Sequence, residues 1–341
     1  MTARRKPRAP VRSTSLVVGV LAASYALALL FSFACGTAPL SLSSAFFDAS
    51  SLDRTLLVTV RLPRALVASC AGAGLAIAGV ALQHTLSNPL AEPFVLGVSG
   101  GAALGATIAI ALGVDAASWF GSSSVATLAV LFGLAATLFV HRVARRNGAR
   151  GIDQGGARVL LAGVAVNSLA ASAITLVKVL APASRVQSLL FWLVGFIEVP
   201  RPAELARLLA LTAFGSVLLL RRRREINVLA LGAPAARHLG VNVEGLEKTV
   251  HIACALIVAG VASTTGLIGF VGLLVPHVLR RLLGPDARVL LPASLLGGAI
   301  TLVLCDALGH FAFRLVHTTL PVGAVTALLG APLFLWLLAK R

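Results

Sequence analysis

The segment RRRREINVLALGAPAARHLGVNVEGLEK, residues 221–248, decides how the rest of the chain is organised. It is the longest polar-punctuated stretch in an otherwise largely apolar sequence, and it opens with four arginines. Two short apolar runs inside it are broken by Gly232, Pro234, Gly240 and Gly245. A membrane protein that keeps so large a polar segment on one face is expected to use it to contact a soluble partner.

Around this segment the chain has the composition of a membrane protein. Of its 341 residues, 58% are hydrophobic and 12% are charged, and the mean hydropathy is +0.94. These values exclude an ordinary soluble domain. A helix needs about 20 apolar residues to cross the bilayer core, so the chain can hold about ten spans. The run 16–35 is long enough to span and no clear cleavage site follows it, so we expect a retained first helix.

The apolar runs predict an all-α integral membrane protein with about ten transmembrane helices. The predicted spans are about 16–35, 65–84, 94–113, 122–140, 159–180, 203–220, 249–264, one within 266–283, 290–308 and 322–339.

This topology makes 36–60 and 181–202 outer connections. Both termini are then cytosolic, with 1–15 as a basic tail and 16–341 as one transmembrane domain. Of the 29 Lys and Arg residues, 21 fall on the cytosolic side, which agrees with the positive-inside rule. The Gly- and Ala-rich span 65–84 is expected to be central, because small residues let helices approach closely in lipid.

No catalytic, nucleotide-binding or metal-ligating pattern is found. Residues 240–249 imitate a phosphate-binding loop, but two residues separate Gly245 from Lys248 and no apolar strand precedes them. The seven histidines and four cysteines do not approach ligand spacing, so neither a metal site nor a disulfide is predicted. The net charge of +17 is clustered between spans, which argues against nucleic acid as a partner. We therefore expect no enzyme activity and no cofactor bound by this chain.

Charged residues within the spans are scarce. Glu92, Lys178 and Asp306 lie near predicted span ends, whereas an ion-coupled carrier usually needs ionisable groups at mid-depth. This favours energy supplied by a soluble partner at residues 221–248. An ion-coupled secondary carrier and a non-transporting membrane scaffold or receptor remain as alternatives.

Six long motifs carry a family resemblance. They are RLPR (61–64), AGVALQ (78–83), NPLAEPFVLGVSGGA (88–102), NVLALGAPAARHLGVNV (227–243), GLIGFVGLLVPHVLRRLLG (266–284) and LPVGAVTALLGAPLFLWLL (320–338). The chain resembles the FecCD-type permeases, the membrane subunits of binding-protein-dependent ABC importers for iron–siderophores, haem and cobalamin.

The resemblance implies a permease of the bacterial cytoplasmic (inner) membrane that performs no chemistry itself. A second permease copy or a similar paralogue would enclose the pathway, and membrane lipid would surround the pair. Two cytosolic ABC ATPase subunits would hold ATP and Mg²⁺, and an extracytoplasmic binding protein would deliver the cargo. An iron–siderophore is the commonest cargo class, while haem and cobalamin use the same scaffold.

The resemblance also implies three sets of site residues. Two short coupling helices, about 233–239 and 243–247, would dock on the ATPases, and the residues assigned to this role are Leu231, Gly232, Ala235, Ala236, Leu239, Gly240 and Asn242. The binding protein would dock on Arg61 and Arg64, with His310 or Arg314 as the third contact. The pathway would be lined by span two, residues 88–101 and span five, with the candidates Gln83, Asn88, Pro89, Gly97, Ser99 and Gly100.

Overall fold

The computed structural model describes residues 14–36, 38, 40–48, 50–114, 118–119, 122–145, 155–313 and 317–339. The described helices are α1 (Thr14–Ala34), α2 (Leu42–Phe47), α3 (Leu52–Leu56), α4 (Leu62–Thr85), α5 (Val98–Leu112), α6 (Ser124–Arg145), α7 (Gly155–Leu180), α8 (Ala183–Val194), α9 (Pro202–Arg221), α10 (Arg223–Leu229), α11 (Ala233–His238), α12 (Val243–Thr265), α13 (Val271–Leu283), α14 (Ala287–Phe311) and α15 (Val322–Ala339). The β-structure of the described residues is one antiparallel pair of two-residue strands, β1 (Ser118–Trp119) and β2 (Ser122–Ser123). The predicted all-α class is confirmed. Most of the predicted tail 1–15 lies outside the described residues.

Seven helical runs are long and apolar enough to cross a membrane, judged by length and composition within the described residues. They are α1, the continuous run Leu52–Thr85, α6, α7, α9, α12 and α14. The other three predicted spans correspond to α5, α13 and α15, which have 15, 13 and 18 residues. Each predicted span therefore coincides with a helix, and three of these helices are short.

The second span begins earlier than the sequence predicts. Residues 36–60, predicted as an outer connection, contain α2 and α3, and α3 continues through a π-helical turn, Leu57–Arg61, directly into α4. Pro63 explains the wide turn, because proline has no N–H to donate and its ring crowds the carbonyl four residues earlier. Arg61 and Arg64 consequently stand on one continuous helix.

Helix α4 is the axis of the bundle, and it packs against α9, α12, α13 and α14. At two crossings the backbones touch. A Cβ atom added to Gly72 would lie 2.2 Å from the carbonyl oxygen of Gly298 in α14, and one added to Gly79 would lie 1.8 Å from that of Gly272 in α13. Only glycine allows such approach, so the predicted central position of the small-residue span is confirmed.

Residues 181–202 also contain a helix, α8, followed by an extended segment. The N–H of Phe196 donates to the carbonyl of Thr265 at the end of α12 at 2.8 Å, and the N–H of Gly323 in α15 donates to the carbonyl of Gly195 at 3.2 Å. These bonds join three elements at one end of the bundle. We call this end of the bundle the Arg64 end, because Arg64 lies there. We call the opposite end, which carries α10 and α11, the α11 end.

Among the seven long apolar helical runs, α7 has the smallest share of buried residues after α1. Its exposed large apolar side chains are Leu161, Val164, Leu169, Leu176, Val179 and Leu180. Such a stripe is suited to contact with lipid or with another apolar helix surface.

Candidate functional site

The polar segment 221–248 forms α10, α11 and the beginning of α12. Gly232 separates α10 from α11 with φ +100° and ψ 150°, a conformation that is essentially restricted to glycine. Gly240 follows α11 with φ +82°. The side-chain oxygen of Asn242 then accepts the N–H of Gly245 at 3.0 Å and caps α12. Gly232 and Gly240, which interrupt the apolar runs of this segment in the sequence, thus lie on either side of α11.

The predicted second coupling helix is not a separate element. Residues 243–247 are the first turns of α12, which continues without a break to Thr265. The sequence contains no helix-breaking residue between Glu247 and the apolar run, so the capped turn extends into the span. A displacement of this end would thus be transmitted directly along a membrane helix.

The four apolar residues assigned to the coupling surface do not share one face. Leu231 and Leu239, which flank α11, are 67% and 64% exposed, and Ala235 is half-buried. Ala236 is 0% exposed and belongs to the main hydrophobic core, so its prediction as a contact residue is wrong. Of the residues assigned to coupling, the two leucines, Gly240 and Asn242 are therefore the exposed ones.

Helix α10 is fixed to the beginning of α14. The side-chain oxygen of Asn227 accepts the N–H of Ala287 at 2.9 Å. One residue earlier, Asp286 caps α14 and pairs with Arg288 at 2.7 Å. The hydrogen bond from the Arg288 side chain holds the pKa of Asp286 below its ordinary value of 3.8, against a smaller opposing effect of burial. The arginine run at 221–224 remains exposed beside this junction.

At the Arg64 end, both predicted docking arginines are bound within the chain. Arg64 makes two hydrogen bonds to the carboxylate of Asp306 in α14, at 2.9 and 3.0 Å. The guanidinium of Arg61 donates to the main-chain carbonyls of Phe33 and Ala38. In this conformation docking would have to exchange these bonds, and the role of Arg61 and Arg64 in contacting a binding protein stays a prediction.

The third predicted docking contact lies beside this pair. His310 lines a cavity of about 170 Å³ together with Arg61, Arg64 and Asp306. Neither ring nitrogen of His310 has a hydrogen-bond partner among the described residues. Arg314 lies outside the described residues.

The pathway candidates at the α4–α5 junction fall into two groups. Gln83 is buried and bonded to the carbonyl of Gly272 and to Arg280, at 3.4 and 2.8 Å, so its side chain is held within the chain in this conformation. Gly97 and Ser99 are also buried, and the Ser99 hydroxyl donates to the carbonyl of Phe94.

The second group has partly accessible surface. Asn88 and Pro89 are half-buried, and the Asn88 side chain accepts the N–H of Leu90 at 2.9 Å, which makes it a turn residue. The N–H of Gly100 donates to the side chain of Asn167 in α7 at 3.1 Å. Asn167 was not singled out from the sequence, although a lone amide in an apolar span is a signal for an interhelical hydrogen bond.

Glu92 has a position that the sequence did not reveal. Its carboxylate accepts the N–H of Phe270 at 2.7 Å, and Phe270 is the N-cap of α13 with φ +68°. Gly272, two residues later, touches Gly79, which is six residues before the end of α4, or about 9 Å along the helix axis. Glu92 is therefore well inside the bundle and not at a span end, because the segment before α5 folds back into it.

A cavity of about 550 Å³ opens at the Arg64 end. Its lining combines aromatic side chains, hydroxyl groups and two carboxylates. Most of these come from α8, the segment after it, the end of α12 and the residues before α15, and α5, α6 and α9 contribute one residue each. The lining residues are Ile110, Val125, Ser188, Phe191, Trp192, Phe196, Glu198, Val199, Pro200, Glu204, Ser263, Thr264, Thr265, Gly266, Thr318 and Thr319.

Comparison with known proteins gives consistent matches. A model of the FecCD transport family matches residues 21–340. A cobalamin import system permease protein from Halobacterium salinarum is 38% identical over 86% of this chain and 76% of its own length. A vitamin B12 import system permease protein from Vibrio cholerae is 37% identical over 97% of this chain and 94% of its own length. A hemin transport system permease protein from Yersinia pestis is 32% identical over 83% of this chain and 83% of its own length.

A solved structure gives the same result. It is described as an inward-facing conformation of a metal-chelate type ABC transporter. It matches with a TM-score of 0.82 and 30% sequence identity, over 96% of this chain and 100% of that chain.

Proposed function

Since the chain belongs to the FecCD transport family, we propose that it moves an iron–siderophore-type metal chelate across the bacterial cytoplasmic membrane with ATP hydrolysed on a partner subunit. It is a membrane-spanning ABC importer permease. The identity of the cargo, the orientation in the membrane and the residues that contact each partner are part of this proposal. The chain itself would hold neither ATP nor Mg²⁺, which belong on two cytosolic ATPase subunits.

One observation supports the coupling assignment most strongly. The exposed Leu231 and Leu239 flank a short helix that leads into α12, an unbroken helix that packs against α4, α6 and α9. In our proposal the α11 end faces the cytosol and the two leucines enter a cleft on the ATPase. Closure of the nucleotide-bound ATPase pair would move α11, and α12 would transmit this motion to the bundle.

The proposed pathway lies between two copies of the permease. The open apolar face of α7 offers a surface for the second copy, and the 550 Å³ cavity at the Arg64 end offers an entrance with hydroxyl and aromatic groups. A binding protein would dock at this end by exchanging the bonds of Arg61 and Arg64 for bonds to its own carboxylates. Such charge pairs set orientation and encounter rate.

Cobalamin is the second candidate for the cargo. The names of the relatives at 38% and 37% identity favour it, and the name of the 32% relative favours haem. The match to a transporter described as metal-chelate type is compatible with each cargo.

A competition experiment tests the cargo. The permease is reconstituted with its ATPase and binding protein, and uptake of radiolabelled ferric siderophore is measured with unlabelled cobalamin or haem as competitor. We expect ATP-dependent iron uptake that neither competitor reduces at equal concentration. Uptake of labelled cobalamin or haem with no uptake of ferric siderophore would replace the proposed cargo and leave the importer assignment intact.

A further inference from the structure

Two histidines from different helices meet near the α11 end. His141 lies in the last turns of α6 and His251 lies on α12, and their Nδ1 atoms are 3.3 Å apart. The rings are edge-to-face, with centroids 5.5 Å apart and an interplanar angle of 74°. His251 is buried and His141 is half-buried, so the pair can be reached from one side. The sequence predicted no metal site, because the two residues are 110 positions apart.

The distance between the two Nδ1 atoms can be compared with the distance between two ligands of one metal ion. Two imidazole nitrogens bound at about 2.05 Å to one tetrahedral ion stand about 3.3 Å apart. The two Nδ1 atoms are joined by a hydrogen bond, and their spacing of 3.3 Å is close to the value for two ligands of one ion. A cation that replaced the shared proton would therefore find both nitrogens at a chelating distance.

We propose that His141 and His251 bind one transition-metal cation of the Zn²⁺ or Cu²⁺ class at the crossing of α6 and α12. Imidazole nitrogen suits these ions and does not suit Mg²⁺ or Ca²⁺, which take oxygen ligands. No third His, Cys, Asp or Glu completes a metal-binding group within the described ranges. Water or an external ligand would therefore fill the remaining coordination positions.

The position of the site connects it to transport. His251 is eight residues after the first residue of α12, or about 12 Å along the helix axis. A bound cation would fasten α12 to α6 just beyond the segment that we assign to coupling. The site would therefore act as an inhibitory clamp, and this second part of the inference depends on the proposed function, whereas cation binding does not.

Binding is tested on the full-length permease purified without a polyhistidine tag. One equivalent of Cu²⁺ is added and its electron paramagnetic resonance is recorded. We expect nitrogen hyperfine coupling from two imidazoles in the wild type and from one imidazole or none in His141→Gln and in His251→Asn. The control is His317→Asn, which alters an exposed histidine at the other end of the bundle and should keep the two-imidazole spectrum.

The half-buried His141 makes its variant the safer one for folding, and thermal unfolding without metal verifies that both variants are folded. If wild type and His141→Gln bind Cu²⁺ with the same spectrum and affinity, the site does not exist.

The clamp is tested separately with Zn²⁺ and the complete reconstituted importer. Low concentrations of free Zn²⁺ should reduce ATP-driven uptake several-fold in the wild type and in His317→Asn, but not in His141→Gln. Equal inhibition of wild type and His141→Gln would exclude the clamp. If the wild type shows no ATP-driven uptake even before Zn²⁺ is added, the proposed function fails and the binding result still stands. Uptake that requires added Zn²⁺ would exclude the clamp.

Discussion

Arg64 and Asp306 bring opposite charges together from helices that are 242 residues apart in sequence. Their side chains are 17% and 5% exposed, so both ions are largely removed from water. Removal of one partner from a buried ion pair typically costs about 3–5 kcal/mol, because the other charge is left uncompensated. We infer that this pair holds α4 against α14 at the Arg64 end.

The first prediction concerns that pair. Asp306→Asn should lower the free energy of unfolding by about 3 kcal/mol, because the Arg64 guanidinium loses its counter-charge. The control is Glu225→Gln, which breaks the exposed Arg222–Glu225 pair and should cost about 0.5 kcal/mol. Denaturant unfolding in detergent measures both values. Equal effects of the two substitutions would show that the Arg64 pair contributes no more than a surface pair.

The second prediction concerns pH and Asp286. Its pKa is lower in the folded chain than its ordinary value of 3.8, so its carboxylate stabilises the fold above that value. The contribution is lost as pH falls through the lower folded pKa. The stability difference between wild type and Asp286→Asn should stay constant from about pH 5 to 8 and shrink below about pH 4. A difference that instead grows on acidification would reverse the sign of this assignment.

Among the helices, the close contact between α4 and α13 depends on the missing methyl group of Gly79. A Cβ atom at Gly79 would stand 1.8 Å from a main-chain oxygen of α13, so α4 and α13 must separate to admit it. Gly79→Ala should destabilise the protein by about 3 kcal/mol or prevent its assembly. Gly19→Ala on α1, where nothing lies within 4 Å, is the control and should be neutral or slightly stabilising. Yield of monodisperse protein and the midpoint of thermal unfolding report the result, and normal behaviour of both variants would contradict the crossing.

The coupling element gives the fourth prediction. Leu231→Ser combined with Leu239→Ser should weaken binding of the ATPase subunit about tenfold or more, since burial of one leucine contributes about 1.5–3 kcal/mol. The substitutions should leave the stability of the permease unchanged, because both side chains are exposed. Leu52→Ser, an equally exposed leucine on α3, is the matched control. Unchanged ATPase affinity in the double variant would remove the coupling role from this surface.

The sequence predicted where helices begin and end better than it predicted which side chains of a helix are buried. Gly232 and Gly240 act through their own backbone conformations, so the breaks on either side of α11 could be predicted. The burial of Ala236 depends on how α11 rests on the core, which no local pattern specifies. The partner of Arg64 was missed because Asp306 was judged by its distance from a span end and not by its need for a counter-charge.

For the whole molecule, the distribution of burial separates an enclosed core from open apolar surfaces. α4 is enclosed by its neighbours, whereas α1 and α7 present open apolar faces. In the proposed function two copies of the permease enclose the pathway, and the open face of α7 is the surface that we assign to their contact. The unbroken α12 extends from the α11 end to the 550 Å³ cavity, so it links the proposed site of ATPase contact to the proposed entrance.

The central claim is that transport by this chain is driven by ATP on a partner, and uptake into proteoliposomes tests it most directly. Vesicles contain the permease alone or with its ATPase, and binding protein loaded with cargo is supplied on the side of the Arg64 end. We predict uptake only when the ATPase and ATP are both present, and none when an ion gradient replaces ATP. Uptake by the permease alone, or uptake driven by an ion gradient, would contradict the account and support a secondary carrier.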